Sequence, residues 1–256
     1  YSIAQGDSGR RYERTNVDAA LVPPTWLALS ETQEGQPASG FFLFGTDQLG
    51  RDLFSRCVVG GVISVGIGFF AACIAVFIGT TWGAIAGFKG GAIDASMMRF
   101  VDILYGLPTI MLVVLISVAA NGLTAKAQTT TAGLQEFINI VALLTAIGAV
   151  SWLTVSRVIR GQVKSIASRP SIDACKTIGM SPKRTFTHHV LPALIGPIVV
   201  YATLTIPTAI LAEAFLSFLG IGVREPIPSW GNLAADGLSQ LNPVHSRWWL
   251  LFWPCL

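Results

Sequence analysis

From Val58 to Phe88 the chain carries no charged side chain. As a helix rising 1.5 Å per residue, this run extends about 46 Å, more than the ~30 Å hydrocarbon core of a bilayer. Such a segment should cross a membrane and tilt or project beyond it. The rest of the chain agrees. Hydrophobic residues make up 52% of it and charged residues only 12%, against roughly 25% charged in a soluble domain. That leaves too little polar surface to face water on all sides, so lipid must solvate much of the chain.

Further apolar runs place spans at about 58–88, 101–120, 137–155, 191–219 and from 248 onward. These define an all-α polytopic membrane protein. Pro108 should kink or break the second span locally, and Pro197 and Pro207 punctuate the fourth. Gly79, Gly83 and Gly87 fall four apart on one helix face, the small-xxx-small spacing that lets another backbone approach closely. No GxxxxGK[ST] accompanies them, which excludes a phosphate loop. Residues 1–44 are polar, with Pro23, Pro24 and Pro37, and read as a water-exposed, loop-rich segment.

Seven basic residues (Arg157, Arg160, Lys164, Arg169, Lys176, Lys183 and Arg184) lie between the third and fourth spans, opposed only by Asp173. In a multi-span protein a cluster of this kind marks the cytoplasmic side rather than a nucleic-acid surface. Residues 157–190 are therefore expected to be cytoplasmic. By alternation residues 1–57 are extracytoplasmic, and so are the loops 121–136 and 220–247. Residue 1 is Tyr, no cleavable signal peptide is visible, and the chain stops at Leu256 inside an apolar run too short to cross. The expectation is six spans in the intact protein, the first absent and the last truncated here.

Cys57, Cys73, Cys175 and Cys255 are scattered and form no metal-ligand spacing, so neither a disulfide nor a metal is expected. His188 and His189, being adjacent, diverge by about 100° on a helix and cannot face one ion.

Two segments have a local pattern of their own. Leu49, Leu53, Phe54 and Cys57 recur at helical spacing, with Asp47, Arg51, Asp52 and Arg56 mostly off that face. Either an amphipathic helix lies at the interface here or the span simply starts early. In the basic segment, Pro170 opens and Gly179 closes about two helical turns. Ile172, Cys175 and Ile178, with Ala174, form a small apolar face, and Asp173 sits in the first turn where the helix dipole favours it. Ser181-Pro182 reads as a new N-cap and first-turn proline. A short helix so held could lie on the membrane or dock into a partner's groove.

Asp173-Ala174-Cys175, three residues, Gly179, then His189-Val190-Leu191-Pro192 resembles the EAA loop of ABC importer permeases, with Asp for Glu and Cys for the second Ala. Gly45-Thr-Asp-Gln-Leu-Gly-Arg-Asp52 resembles the signature of the oligopeptide/dipeptide/nickel branch of that family. Ile210 to Gly222, followed by Pro228-Ser-Trp-Gly-Asn232, does so as well. The resemblance runs from about Phe44 to the last residue.

It implies a type I ABC importer transmembrane domain over 45–256, in a multi-pass protein of the bacterial inner membrane. It further implies a coupling segment at 157–190 whose Asp173, Ala174, Cys175 and Gly179 engage cytosolic ATPase subunits. The implied partners are a second homologous permease, two ATPase subunits that bind ATP and Mg, an extracytoplasmic peptide-binding protein and membrane lipid. The chain itself would be no enzyme and hold no cofactor, and its cargo would be a peptide or, in the same branch, a nickel chelate.

Glu213, the one acid inside the fourth span, could line the translocation path or simply bond a neighbouring helix. Trp230 could gate substrate or sit as an interfacial aromatic. The rival from another class is an ion-gradient-driven secondary transporter, which usually shows internal repeats or intramembrane charge relays; no repeat is visible and Glu213 stands alone.

Overall fold

The computed structural model describes residues 13–28, 41–125, 132–241 and 247–256. Their order is α1 (Thr25–Ala28), α2 (Leu53–Lys89), α3 (Gly91–Tyr105), α4 (Thr109–Ala125), α5 (Ala132–Ala167), α6 (Pro170–Thr177), α7 (Pro182–Thr185), a π-helical turn (Phe186–Val190), α8 (Leu191–Phe218), α9 (Trp230–Ser239) and α10 (Trp249–Cys255). No strand occurs among the described residues, only an isolated bridge between Thr46 and Asp52. Three helical stretches, Leu53–Lys89, Phe137–Ala167 and Pro182–Phe218, are long and apolar enough to cross a membrane. A fourth candidate, Gly91–Tyr105 with Thr109–Ala119, is bent by 86°.

The bend falls where Pro108 stands, between α3 and α4. Proline lacks the N–H that would continue the ladder, and its ring clashes with the preceding turn. Of the kink or local break expected at Pro108, the break is the one that occurs. The third apolar stretch differs in the other direction: α5 does not stop near Val155 but carries Arg157, Arg160 and Lys164 onward to Ala167. Nothing in the sequence 156–167 breaks a helix, and those cations find carboxylate partners on α3. Likewise α7, the π turn and α8 form one continuous helical stretch, Pro182–Phe218. In the π turn the Leu191 N–H bonds the carbonyl of Phe186, five residues back. The connection expected over 121–136 is shorter than thought, since α4 runs to Ala125 and α5 starts at Ala132; residues 126–131 lie outside the described set.

The chain divides into two compact units, 1–66 with 213–256, and 67–212. In the second unit, α2 and α5 meet along the glycine stripe. A Cβ at Gly79 would stand 2.6 Å from Val155 Cβ, one at Gly83 2.3 Å from the Ser156 carbonyl oxygen, and one at Gly87 2.9 Å from that of Arg160. Small residues here let two backbones touch. At the end of this seam Ala84, Val155, Ile159, Val163, Ile166, Ile172, Val190 and Leu194 form a buried cluster, with Phe88 and Phe186 packed against it.

In the first unit, Leu53, Cys57, Leu233, Trp249 and Leu250 form the core, flanked by Phe44, Trp248 and Trp253. Phe44 stacks on Trp253 at 4.0 Å between ring centres. Residues 13–28 are tied down through Thr46, whose hydroxyl donates to the Ala19 carbonyl at 2.6 Å and accepts from Val22 N–H at 2.8 Å. Where the sequence suggested only loop around Trp230, a capping box starts a ten-residue helix. The Ser229 hydroxyl accepts from Asn232 N–H, and Asn232 Oδ1 accepts from Ser229 N–H at 2.8 Å.

Candidate functional site

Helix α6 is built by its ends. Pro170 occupies the first turn, where its missing N–H costs nothing. At the other end Met180 N–H bonds the Cys175 carbonyl and Gly179 N–H that of Lys176, each at 3.0 Å. This six-to-one and five-to-two pair is a Schellman motif. It requires a left-handed residue, and Gly179 has φ of +77° with open space around it. Glycine is needed at 179 for its backbone angle, not for room.

Ile172, 3% exposed, enters the buried cluster at the end of the α2–α5 seam, and Cys175 turns inward beside it. Asp173, Ala174, Lys176 and Thr177 remain on the outer face. Asp173 and Lys176 pair at 2.8 Å with both side chains 64% exposed. In water such a pair contributes little, so it neutralises the face without stiffening it. One expectation needs correcting. Ile178 does not join the apolar face: it is 75% exposed, because the helix ends at Thr177 and the glycine turn carries Ile178 past the core. Ala174 is exposed too. The result is a short helix anchored by two side chains, with its other face and the projecting Ile178 free.

Glu213 and Trp230 lie elsewhere, in the first unit. Glu213 is fully buried; Oε1 accepts from the Ser217 hydroxyl at 2.6 Å, and Oε2 has no partner among the described residues. Trp230 donates its indole N–H to the Cys57 carbonyl at 3.1 Å and packs on Gly61 of α2.

The sequence does not disclose an ion cluster at the start of α2. Asp47, Arg51 and Arg56, expected on a polar face, are all buried, with Arg56 at 0% exposed. Asp47 Oδ1 accepts from the Leu49 and Arg51 N–H groups, both at 2.9 Å. Its Oδ2 receives Arg51 Nε at 2.7 Å and the Arg56 guanidinium. Glu225, 174 residues beyond Arg51, accepts from Arg51 at 2.9 Å and from Arg56 at 3.1 Å through the same oxygen.

Burial pushes the Glu225 carboxyl up, but the hydrogen bonds and charge of the two arginines outweigh it and hold it below the ordinary value. Asp236 lines a cavity of about 170 Å³ beside this cluster. It has no such bonds among the described residues, and desolvation raises its pKa. The charge spacing at 47, 51 and 56 was visible; its closure by Glu225 was not. Residues 46–52 form a turn and Leu53 starts α2, so the early start of the span describes 53–57, not a separate interfacial helix.

These features define a multi-pass, all-helical membrane protein bearing a short, outward-facing helix between two long apolar ones. The family model of the binding-protein-dependent transport system inner membrane component matches residues 79–251. The dipeptide transport system permease protein DppC of Bacillus subtilis is 41% identical over 234 residues, 91% of this chain and 68% of that protein. The oligopeptide transport system permease protein OppC of the same organism is 41% identical over 219 residues, 86% of this chain and 66% of that one. OppC of Escherichia coli K12 is 39% identical over 227 residues, covering 89% and 68%. The chain thus spans about two thirds of the length of these relatives. It belongs to the family of binding-protein-dependent transport system inner membrane components.

Proposed function

We propose that this chain is the membrane-spanning permease subunit of an ATP-driven peptide importer of the bacterial inner membrane. With a second homologous permease it would form the translocation path. Two cytosolic ATPase subunits would bind ATP and Mg and perform the hydrolysis, so this chain is not itself an enzyme, and an extracytoplasmic binding protein would deliver peptide. The observation that carries the reading is α6: Ile172 and Cys175 are buried while Asp173, Ala174 and Ile178 face outward. A helix anchored on one side and bare on the other is a docking element.

In this reading residues 1–44 form an extracytoplasmic segment and 45–256 the transmembrane domain. Residues 157–190 lie on the cytoplasmic side. Asp173 and Ala174 meet the ATPase, Cys175 anchors the helix that presents them, and Gly179 sets the turn. Peptide is the cargo because the relatives named above are dipeptide and oligopeptide permeases. Glu213 stays the candidate for the path, since one of its carboxylate oxygens lacks a partner among the described residues. Trp230 is the weaker candidate, its N–H being bonded within the unit.

The test is co-purification from membranes with mass spectrometry of the partners. Wild type should bring down a second permease and ATPase subunits. Asp173→Arg and Gly179→Pro should lose only the ATPases, the latter because proline cannot adopt a positive φ. Wild type that purifies alone and moves peptide without ATP refutes the proposal.

A further inference from the structure

A cleft of about 420 Å³ opens between α3 and α5, walled by Ala95, Met98, Arg99, Asp102, Arg157 and Arg160. Its charges are unevenly satisfied. Asp94, buried behind the cleft, receives Arg160 through both Nε and Nη2 and also Lys164 at 2.6 Å. Arg157 gives one nitrogen to Asp102 at 2.6 Å and stacks over the Tyr105 ring at 4.0 Å. Arg99 is exposed and forms no ion pair among the described residues. Three cations thus share two carboxylates, and Arg99 adds a fourth positive charge at the cleft.

The surroundings of the cleft are apolar. At 100° per residue, Arg99 lies about 40° around α3 from Ile103 and about 60° from Asp102 on the other side. Ile103, Phe100 and Ile93 make a neighbouring face and are exposed by 65, 49 and 45%. α3 turns by 86° from α4. The two helices are apolar enough for a span only when taken together, and the bend between them lets α3 lie toward the bilayer surface, with this face toward acyl chains and Arg99 at the border with the polar layer.

We propose that the α3–α5 cleft binds the phosphate headgroup of an anionic phospholipid. Arg99 and the free edge of Arg157 hold the phosphate oxygens by charge-assisted hydrogen bonds, while the acyl chains lie along Phe100 and Ile103. Asp102 limits the affinity by placing a like charge at the rim. The lipid source is favoured over free phosphate because the cationic pocket and the exposed apolar face are contiguous on one helix, as basic pockets between membrane helices require. The proposal needs the membrane setting only and does not depend on what is transported.

The experiment is native mass spectrometry of the purified full chain from mixed micelles containing either phosphatidylglycerol or phosphatidylcholine. Wild type should retain phosphatidylglycerol preferentially. Arg99→Gln should weaken that retention about fivefold, corresponding to ~1 kcal/mol per basic residue at an anionic surface, with phosphatidylcholine unchanged. Asp102→Asn should strengthen it. Because Asp102 also bonds Arg157, Arg99→Gln, which breaks no ion pair among the described residues, decides the matter alone if Asp102→Asn misfolds. Equal retention of the two lipids, or an Arg99→Gln variant that binds phosphatidylglycerol like wild type, overturns the proposal. If millimolar inorganic phosphate displaces phosphatidylglycerol from wild type but not from Arg99→Gln, the cleft is a free-phosphate site and the lipid assignment falls.

Discussion

Replacing Gly83 with alanine tests whether α2 and α5 are pressed backbone to backbone. The new Cβ would lie 2.3 Å from the Ser156 carbonyl oxygen, 3.0 Å from Arg160 N and 3.1 Å from Ile159 Cβ. A carbon ordinarily approaches a carbonyl oxygen to about 3.3 Å, so the helices must part by about 1 Å. The obstructing atom belongs to a helix backbone and cannot swing aside as a side chain would. Overpacking costs about 1–3 kcal/mol, here at the upper end, while alanine recovers up to ~1 kcal/mol of helix propensity.

The net expected loss is about 2 kcal/mol, or roughly 4–8 °C in Tm for a chain of this size. Gly66→Ala on the same helix is the control. Nothing lies within 4 Å of its Cβ position, and it should be neutral or slightly stabilising. Thermal unfolding of both variants in one mild detergent reads the difference directly. A Gly83→Ala protein as stable as Gly66→Ala would mean that the seam is loose, and the close-approach account of the glycine stripe would be wrong.

Three further outcomes follow from the first unit. Glu225 is held below its ordinary pKa by Arg51 and Arg56. The stability it contributes is present above the unfolded value and lost as pH falls through the folded one. The Tm gap between wild type and Glu225→Gln should therefore close on acidification below about pH 4.5. Asp236 is raised by burial, the opposite sign, so Asp236→Asn should unfold at a higher temperature than wild type at pH 7 and lose that advantage in acid. Ser229→Ala removes one half of the α9 capping box and should cost about 0.5–2 kcal/mol, seen as faster amide exchange at Asn232.

What was legible in the sequence follows periodicity and local chemistry. The apolar runs located the long helices, Pro108 marked the break, and Pro170, Gly179 and Ser181 marked the ends of α6 and the start of α7. Each depends on contacts within a few residues. The third span was expected to end near Val155, where charge begins; helix α5 continues past that point to Ala167, its cations neutralised by Asp94 and Asp102 on α3. Arg56 was expected on a polar face. Its partner Glu225 is 169 residues away, and no spacing rule connects them. Ile178 failed because a three-residue repeat says nothing about where the helix stops.

The π turn at Phe186–Val190 bears on how this segment tolerates change in length. A wide turn amounts to one residue more than an α-helix needs over the same rise. Deleting a single residue between 186 and 190 would let the stretch relax into unbroken α-helix. Because the wide turn already absorbs that residue, the helical segments on either side would keep their phase, whereas a deletion in the regular part of α8 would turn everything before it by about 100°. Ile172 and Cys175 would stay in their buried seat in the first case and swing out of it in the second, so two deletions that look alike would leave α6 facing different ways.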